Sequence, residues 1–257
     1  MNAREARREG PVPPHASLLQ YYGADEARAS YVEGLFDLAA PHYERINRIL
    51  SLGAGLAYRR RALEQAGLRP GMRLLDIATG TGLMLRPAAR IVGPTGLVVG
   101  LDPSLGMLRE SRSIEPLPLV QARGEWLPFA SEHFDFVSLG YGLRHVSDLD
   151  ALFGECFRVL RQGGRLLVLE FSRPRSRFNL TLSRFYLNRL VPFITRLATR
   201  DPGAERLMRY CWDTVDRVVP AEVVLESVQR AGFADAVRKP VFGLFAEFSA
   251  TRTATLP

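Results

Sequence analysis

Leu74-Leu75-Asp76-Ile77-Ala78-Thr79-Gly80-Thr81-Gly82 is the stretch of this 257-residue chain whose residue types and spacing speak most directly of chemistry. An apolar run carrying one acid passes into a turn with two glycines, and a helical pattern opens just beyond it. In an open α/β sheet that junction, at the carboxyl end of a strand, is where ligands sit. Gly80 and Gly82 have no Cβ, so the backbone can turn tightly and approach a ligand closely. Asp102 lies 20 residues beyond Gly82 and closes the next apolar run, where a carboxylate can accept hydrogen bonds from ribose hydroxyls.

The third glycine that a dinucleotide would require at position 85 is Leu85, which leaves no provision for a pyrophosphate. S-adenosylmethionine has none; it presents an amino acid end, a sulfonium and an adenosine. Asp76, the Gly80-Thr81-Gly82 turn and Asp102 are therefore read as contacts for that cofactor, with Met107 against the adenine face. A tight structural turn is the alternative for the glycines, and a core position is the alternative for Met107.

The elements that must position these residues follow from hydrophobic spacing. Arg73 to Ile77, Leu97 to Leu101, Pro118 to Gln121, Phe134 to Leu139 and Arg165 to Phe171 are short apolar runs with helical segments in most of the gaps, which predicts a Rossmann-like, doubly wound α/β fold with a mostly parallel sheet. Residues 1–30 mix Arg, Glu and Pro and are read as a loosely ordered extension, with 31–257 as a single domain. Within it, residues 31–66 hold N-terminal helices, one interrupted at Pro41 and one from Leu56 to Ala66. Residues 172–220 form a helical insert, read as a substrate cover. Its apolar stripe runs through Leu182, Tyr186, Leu190, Phe193, Ile194 and Leu197; it suits a greasy acceptor but equally suits a helix that merely covers the sheet. Tyr210, Trp212 and Asp213 follow in the next helix and are candidates to face the acceptor. A helix over Ala221 to Ala231, stopped by Gly232, leads to an antiparallel hairpin from Ala234 to Thr251.

The formal charge is +7, and Lys239 is the one lysine among 34 basic residues. The arginines are scattered rather than gathered into a stripe, so nucleic acid is not expected as a partner. Cys156 and Cys211 stand far apart and outside any Cys/His cluster, which gives no support to a disulfide framework or a metal site. No apolar run is long enough to span a membrane, and Met1 to Gly10 does not read as a signal peptide. A cytoplasmic location follows, with peripheral contact with a membrane and a homodimer left open.

With Asp76-Ile77-Ala78 and Gly80-Thr81-Gly82 in view, the chain resembles the class I methyltransferases. Glu125-Trp126-Leu127-Pro128-Phe129, Tyr141-Gly142-Leu143-Arg144-His145-Val146 and Gly163 to Ser172 make it similar, more closely, to the ubiquinone/menaquinone biosynthesis C-methyltransferases. His42-Tyr43-Glu44-Arg45-Ile46-Asn47 with Leu52-Gly53 resembles that family's helix before the sheet. The resemblance implies methylation of a carbon on an aromatic or quinol-type hydrophobic acceptor. It also points to Arg123, Gly124 and Gly140 as further cofactor positions. Arg123 stands where the family carries Asn or Asp, so adenine recognition passes to the backbone near Gly124 or to another side chain. Gly140 stands where the family carries Ser or Thr.

A ring carbon becomes nucleophilic when a neighbouring hydroxyl loses its proton, which calls for a base or for a cation that stabilises the oxyanion. Tyr141, Arg144 and His145 are the candidates: His145 for its titration range and Arg144 for its charge. Structural roles for both are the alternative. Transfer to oxygen or nitrogen of a small natural product, a nucleic-acid-binding protein on this scaffold, and a cofactor-binding protein without turnover also stay open on the sequence.

Overall fold

The computed structural model describes residues 10–172, 186–191, 193–195, 201–241 and 243–253. Seven strands form one sheet in the order β3-β2-β1-β4-β5-β7-β6. They are β1 (Arg73–Ile77), β2 (Leu97–Asp102), β3 (Leu119–Gln121), β4 (Phe134–Gly140), β5 (Leu160–Phe171), β6 (Ala234–Val241) and β7 (Phe245–Thr251). The first five run parallel, and β7 pairs antiparallel with both β5 and β6. Strand order reverses beside β1, so β1 and β4 open a crevice at their carboxyl ends.

Successive side chains of a strand point to opposite faces, and the apolar runs divide accordingly. Leu74, Phe136, Leu167 and Leu169 pack under α3 (Gly55–Gln65) and α4 (Leu85–Val92) through Leu63, Leu85 and Val92. Leu75, Ile77, Val137, Leu139 and Val168 pack under α6 (Leu149–Val159) and α8 (Ala221–Arg230). A third cluster joins α1 (Leu19–Tyr22), α2 (Arg28–Leu50) and α7 (Pro202–Asp216) through Leu18, Leu35, Ile46, Leu207 and Tyr210. Helix α5 (Leu105–Ile114) packs against α2 and is capped by the Ser104 hydroxyl, which accepts from the Met107 amide at 3.1 Å.

Two expectations change. Helix α2 runs through Pro41 without interruption; burial of Leu35, Ala39, Ala40 and Ile46 on both sides of the proline outweighs the amide hydrogen bond that proline cannot make. Residues 10–30, read as a loose extension, are packed where described. The Val12 amide donates to Asp148 and its carbonyl accepts from the Leu149 amide, the Pro14 carbonyl accepts from Val219, and Tyr21 donates to Asp213 at 2.7 Å. Val12, Leu18 and Tyr22 are buried at irregular spacing, as suits a strap that takes its partners from the rest of the molecule. Residues 1–9, Leu182 and Leu197 lie outside the described residues. Among the described residues no helix is long and apolar enough to cross a membrane.

Candidate active site

The crevice holds two spaces that meet. The first, a cleft over the carboxyl ends of β1, β2 and β4, is lined by Gly80, Asp102, Met107, Arg123, Gly124 and Gly140. Its floor is built by backbone bonds to one carboxylate. The Gly80 amide donates to Asp102 Oδ2 at 2.8 Å and the Ser104 amide donates to Oδ1 at 2.9 Å. Each carboxylate oxygen keeps a further lone pair with which to accept from a ligand hydroxyl. Burial pushes the Asp102 carboxyl up to about 6; the Ser104 and Gly80 amides oppose the rise, and Asp37 and Glu33 add to it.

The backbone turns that admit this geometry are unusual. Gly80 has φ +56°, while Ala78 and Tyr141, at the ends of β1 and β4, have φ +52° and +65°. Left-handed backbone at two non-glycine residues marks the places where tertiary packing overrides local preference. Space is tight around the neighbouring glycines. A Cβ on Gly140 would stand 2.6 Å from Met84 Cγ, and one on Gly124 would stand 2.7 Å from Leu152 Cδ1.

Six of the nine expected cofactor positions thus line one cleft. Asp76, Thr81 and Gly82 do not. Asp76 lies below the turn, opposite its cross-strand partner Ser138, and accepts from the hydroxyls of Ser138 at 2.7 Å and Thr79 at 2.6 Å. Thr81 donates to Glu44, which Arg86 also meets at 3.0 Å, so this end of the turn is fastened to α2. Gly82 faces Ser111 of α5.

The second space is a cavity of about 420 Å³, lined chiefly by apolar and aromatic side chains of α2, α3, α7 and the β6–β7 end of the sheet. Phe36, Tyr43, Tyr141 and His145 line both the cavity and the cleft, so these side chains form the boundary across which a cofactor and an acceptor would face each other. Trp212 and Tyr186 line the cavity, whereas Tyr210 is fully buried and stacks on His145 with ring centroids 5.7 Å apart.

Tyr141 and His145 reach this boundary and Arg144 lines the cavity alone, but the surroundings of all three redefine them. Burial, with the charges of Arg144, His15 and Arg28, pushes His145 well below the ordinary histidine range, so it is neutral rather than titrating near neutrality; its Nδ1 is buried without a partner. Burial raises the Tyr141 hydroxyl to about 12, against the opposing charge of Arg59, which makes it a hydrogen-bond donor and not a base. Arg144 gives Nε to Glu170 at 2.8 Å and Nη1 to Thr214 at 2.6 Å, so its charge is matched within the protein.

Residues that were given no site role from the sequence complete the site, Tyr43 and Asn47 among them having entered only through the resemblance. Glu33, Phe36, Tyr43 and Asn47 come from one long helix, α2, and Arg59 from α3. Arg59 is the first of three consecutive arginines and reads as a solvated run, yet it shares a helical face with Ala62, Leu63 and Ala66 and is buried, while Arg60 and Arg61 are exposed. That i, i+3, i+4, i+7 pattern was the available signal.

The features of the cleft fit S-adenosylmethionine: a carboxylate with free lone pairs for ribose hydroxyls, glycines that let backbone approach, and a buried methionine, Met107, to pack on a base. The model of the ubiE/COQ5 methyltransferase family matches residues 24–251. The chain is 34% identical over 215 residues to the ubiquinone/menaquinone biosynthesis C-methyltransferase of Shewanella halifaxensis, covering 81% of this chain and 84% of the relative. It is 33% identical over 216 residues to the enzyme of the same name from Psychromonas ingrahamii, covering 81% and 85%. Among solved structures, a SAM-dependent methyltransferase from Aquifex aeolicus matches with TM-score 0.58 at 16% identity, over 81% of this chain and 98% of that one. The [4+2]-cyclase SpnF matches with TM-score 0.63 at 16% identity, over 88% and 97%. At such identities the structural matches show the fold alone.

Proposed function

The chain belongs to the ubiE/COQ5 methyltransferase family and is an S-adenosylmethionine-dependent methyltransferase; from that premise we propose that it methylates a ring carbon of a hydrophobic, aromatic or quinol-type acceptor. The observation that carries this reading is the apolar cavity that shares Phe36, Tyr43, Tyr141 and His145 with the cofactor cleft. Relatives of this chain are named for C-methylation in ubiquinone and menaquinone biosynthesis, and an aromatic head with a greasy tail suits such a cavity.

Bound S-adenosylmethionine supplies an electrophilic methyl group, transferred with loss of the sulfur–carbon bond as the new bond to the acceptor forms. The work of the chain is to align the two partners and exclude water. In the proposed arrangement Asp102 accepts from the ribose, Met107 packs on the adenine and the Gly80 turn lets the backbone approach. Tyr43, whose ring edge lies over Gly80, closes the cleft from α2. Neutral His145 and the Tyr141 hydroxyl orient the acceptor's polar head at the boundary, while the rest of the cavity holds its apolar part.

The test is incubation of the protein and S-adenosylmethionine with demethylated quinols carrying a prenyl tail, followed by mass spectrometry and proton NMR of the product. The expected result is a gain of one methyl group on a ring carbon. A methyl on oxygen or nitrogen, or turnover restricted to small polar acceptors, overturns the proposal.

A further inference from the structure

Two guanidinium groups line the acceptor cavity, and none of the described residues lining it is Asp or Glu. Arg144 is paired with Glu170. Arg59 is not: its side chain is 6% exposed, yet no carboxylate lies within ion-pair distance of it among the described residues. Its Nη2 donates to the amide oxygen of Asn47 at 3.1 Å, its guanidinium lies 5.0 Å from the centre of the Tyr141 ring, and its Nε is buried with no partner. Gly55 makes room for it, because a Cβ there would stand 2.8 Å from Arg59 Nη1. The protein thus holds a cation in place by a neutral amide, an aromatic face and a missing methyl, and gives it no ion-pair partner among the described residues; the buried Asp76 carboxylate feels its charge from beyond that distance. A buried charge without a counter-ion is costly, and an arginine keeps its charge. Tyr141, over which it sits, belongs to the boundary with the cofactor cleft.

Building on the C-methylation reading, in which the acceptor carries an ionisable hydroxyl beside the carbon to be methylated, we propose that Arg59 is the catalytic cation that binds the acceptor's oxyanion. The O–H bond breaks, its electron pair stays on oxygen and delocalises onto the neighbouring carbon, and the proton passes to water at the Leu52 end of the cavity, where that side chain is 85% exposed. Once that carbon of an aromatic acceptor has gained its methyl group, its own C–H proton leaves to the same water and the electron pair returns to the ring. An apolar cavity alone would oppose this ionisation; a guanidinium at hydrogen-bond distance reverses the sign. Tyr43, Tyr58, Tyr141 and Asn47 lie about the group and none of them is an anion at neutral pH; the carboxylates beyond them are Asp76, which feels the Arg59 charge, and Glu247, which accepts from Tyr58 and pairs with Lys239.

A nitrophenol, whose phenolate is distinguished by its absorbance, reads this directly. It is titrated against the native protein saturated with S-adenosylhomocysteine, and against Arg59→Gln and Arg59→Lys. In the native protein the bound phenol should ionise about one pH unit or more below its value in water, since an opposite charge within contact distance shifts a titrating group by about that much. Arg59→Gln should raise it above the value in water, and Arg59→Lys should restore most of the shift. With the natural class of acceptor, Arg59→Gln should lower kcat about tenfold or more with a smaller change in KM, and move the rising limb of the pH profile upward. Its affinity for S-adenosylmethionine should stay within about twofold of the native value. A native bound phenol that ionises no more readily than in water, one that does not bind, or a shift that Arg59→Gln leaves in place overturns the proposal. The native measurement stands even if a variant fails to fold. A protein that ionises the phenol through Arg59 but methylates no carbon acceptor would overturn the C-methylation reading and leave the oxyanion site standing.

Discussion

Glu170 and Arg144 meet at 2.8 Å, and their side chains are 1% and 3% exposed. The pair is the knot of a larger network. Glu170 also accepts the Arg144 and Phe171 amides, Arg144 reaches Thr214 and the Cys211 carbonyl on α7, and Arg28 of α2 donates to the Arg144 carbonyl. Strand β5, the loop after β4 and two helices that wall the cavity are thereby fixed to one another.

Breaking this pair from one side should therefore destabilise the whole molecule. Glu170→Ala leaves a buried guanidinium without its counter-ion, and the expected loss is about 3–5 kcal/mol in urea unfolding of the cofactor-free protein. Replacing both partners by apolar side chains of similar volume, Arg144→Met with Glu170→Leu, should recover most of that loss. A double variant as unstable as the single one would mean that the hydrogen bonds to backbone, and not the charge pair, hold the loop.

Gly142 and Ala78 show how closely the two ligand-facing turns approach. A Cβ on Gly142 would stand 2.5 Å from that of Ala78, which already occupies left-handed backbone. Gly142→Ala should cost about 1–3 kcal/mol through overpacking and weaken cofactor binding, because it forces the turns apart. Ala78→Gly removes both the opposing methyl and the strained φ, so it should stabilise the native protein and rescue Gly142→Ala. Thermal unfolding and calorimetric titration of the three variants check this.

The sheet was legible because buried parallel strands are written as apolar runs, and the runs at Arg73, Leu97 and Phe134 begin where β1, β2 and β4 begin. The cofactor side was legible because an acid at the end of a strand after a glycine turn needs no tertiary information. The acceptor side was less so. Arg59 sits in an arginine run that looks solvated, and the role proposed for it depends on the absence of an ion-pair partner among the described residues, a fact of three-dimensional arrangement. Arg144 and His145 were singled out as candidates by residue type and position, but their electrostatics come from Glu170, Arg28 and His15, which are distant in sequence. The strap at residues 10–22 carries no period because its bonds go to Asp148, Val219 and Asp213.

Asp102 should govern cofactor affinity in a pH-dependent way. Asp102→Asn is expected to weaken S-adenosylmethionine binding by about 1.5–3 kcal/mol, the range for hydrogen bonds to a charged group. With its carboxyl raised to about 6, native Asp102 gains its charge as pH rises through that value, so affinity should increase across it, while Asp102→Asn should lack that component. Calorimetry between about pH 5 and 8 separates the two profiles. Parallel profiles would assign the pH dependence, if any, to another group.

Asp76 should write its burial into the stability of the protein. Its carboxyl is pushed up to about 7 by burial, in spite of the Thr79 and Ser138 hydroxyls that favour the charged form, with Asp102 adding to the rise. In the unfolded chain the same group ionises near its ordinary value of 3.8. Below that value both states hold the proton, and the contribution of the group to stability is complete. As pH rises from about 4 to about 7 the unfolded state releases its proton while the folded state retains it, so stability falls through this window and levels off above it. Asp76→Asn keeps the shape and cannot titrate. Its stability relative to the native protein should therefore climb with pH by a few kcal/mol between about pH 4 and 7 and stay constant beyond. Asp102 titrates in both proteins, and its coupling to Asp76 enters that difference as part of the Asp76 shift. Urea unfolding midpoints measured across the window decide the matter: curves that run parallel would mean that the two hydroxyls hold the Asp76 carboxylate ionised in the folded protein.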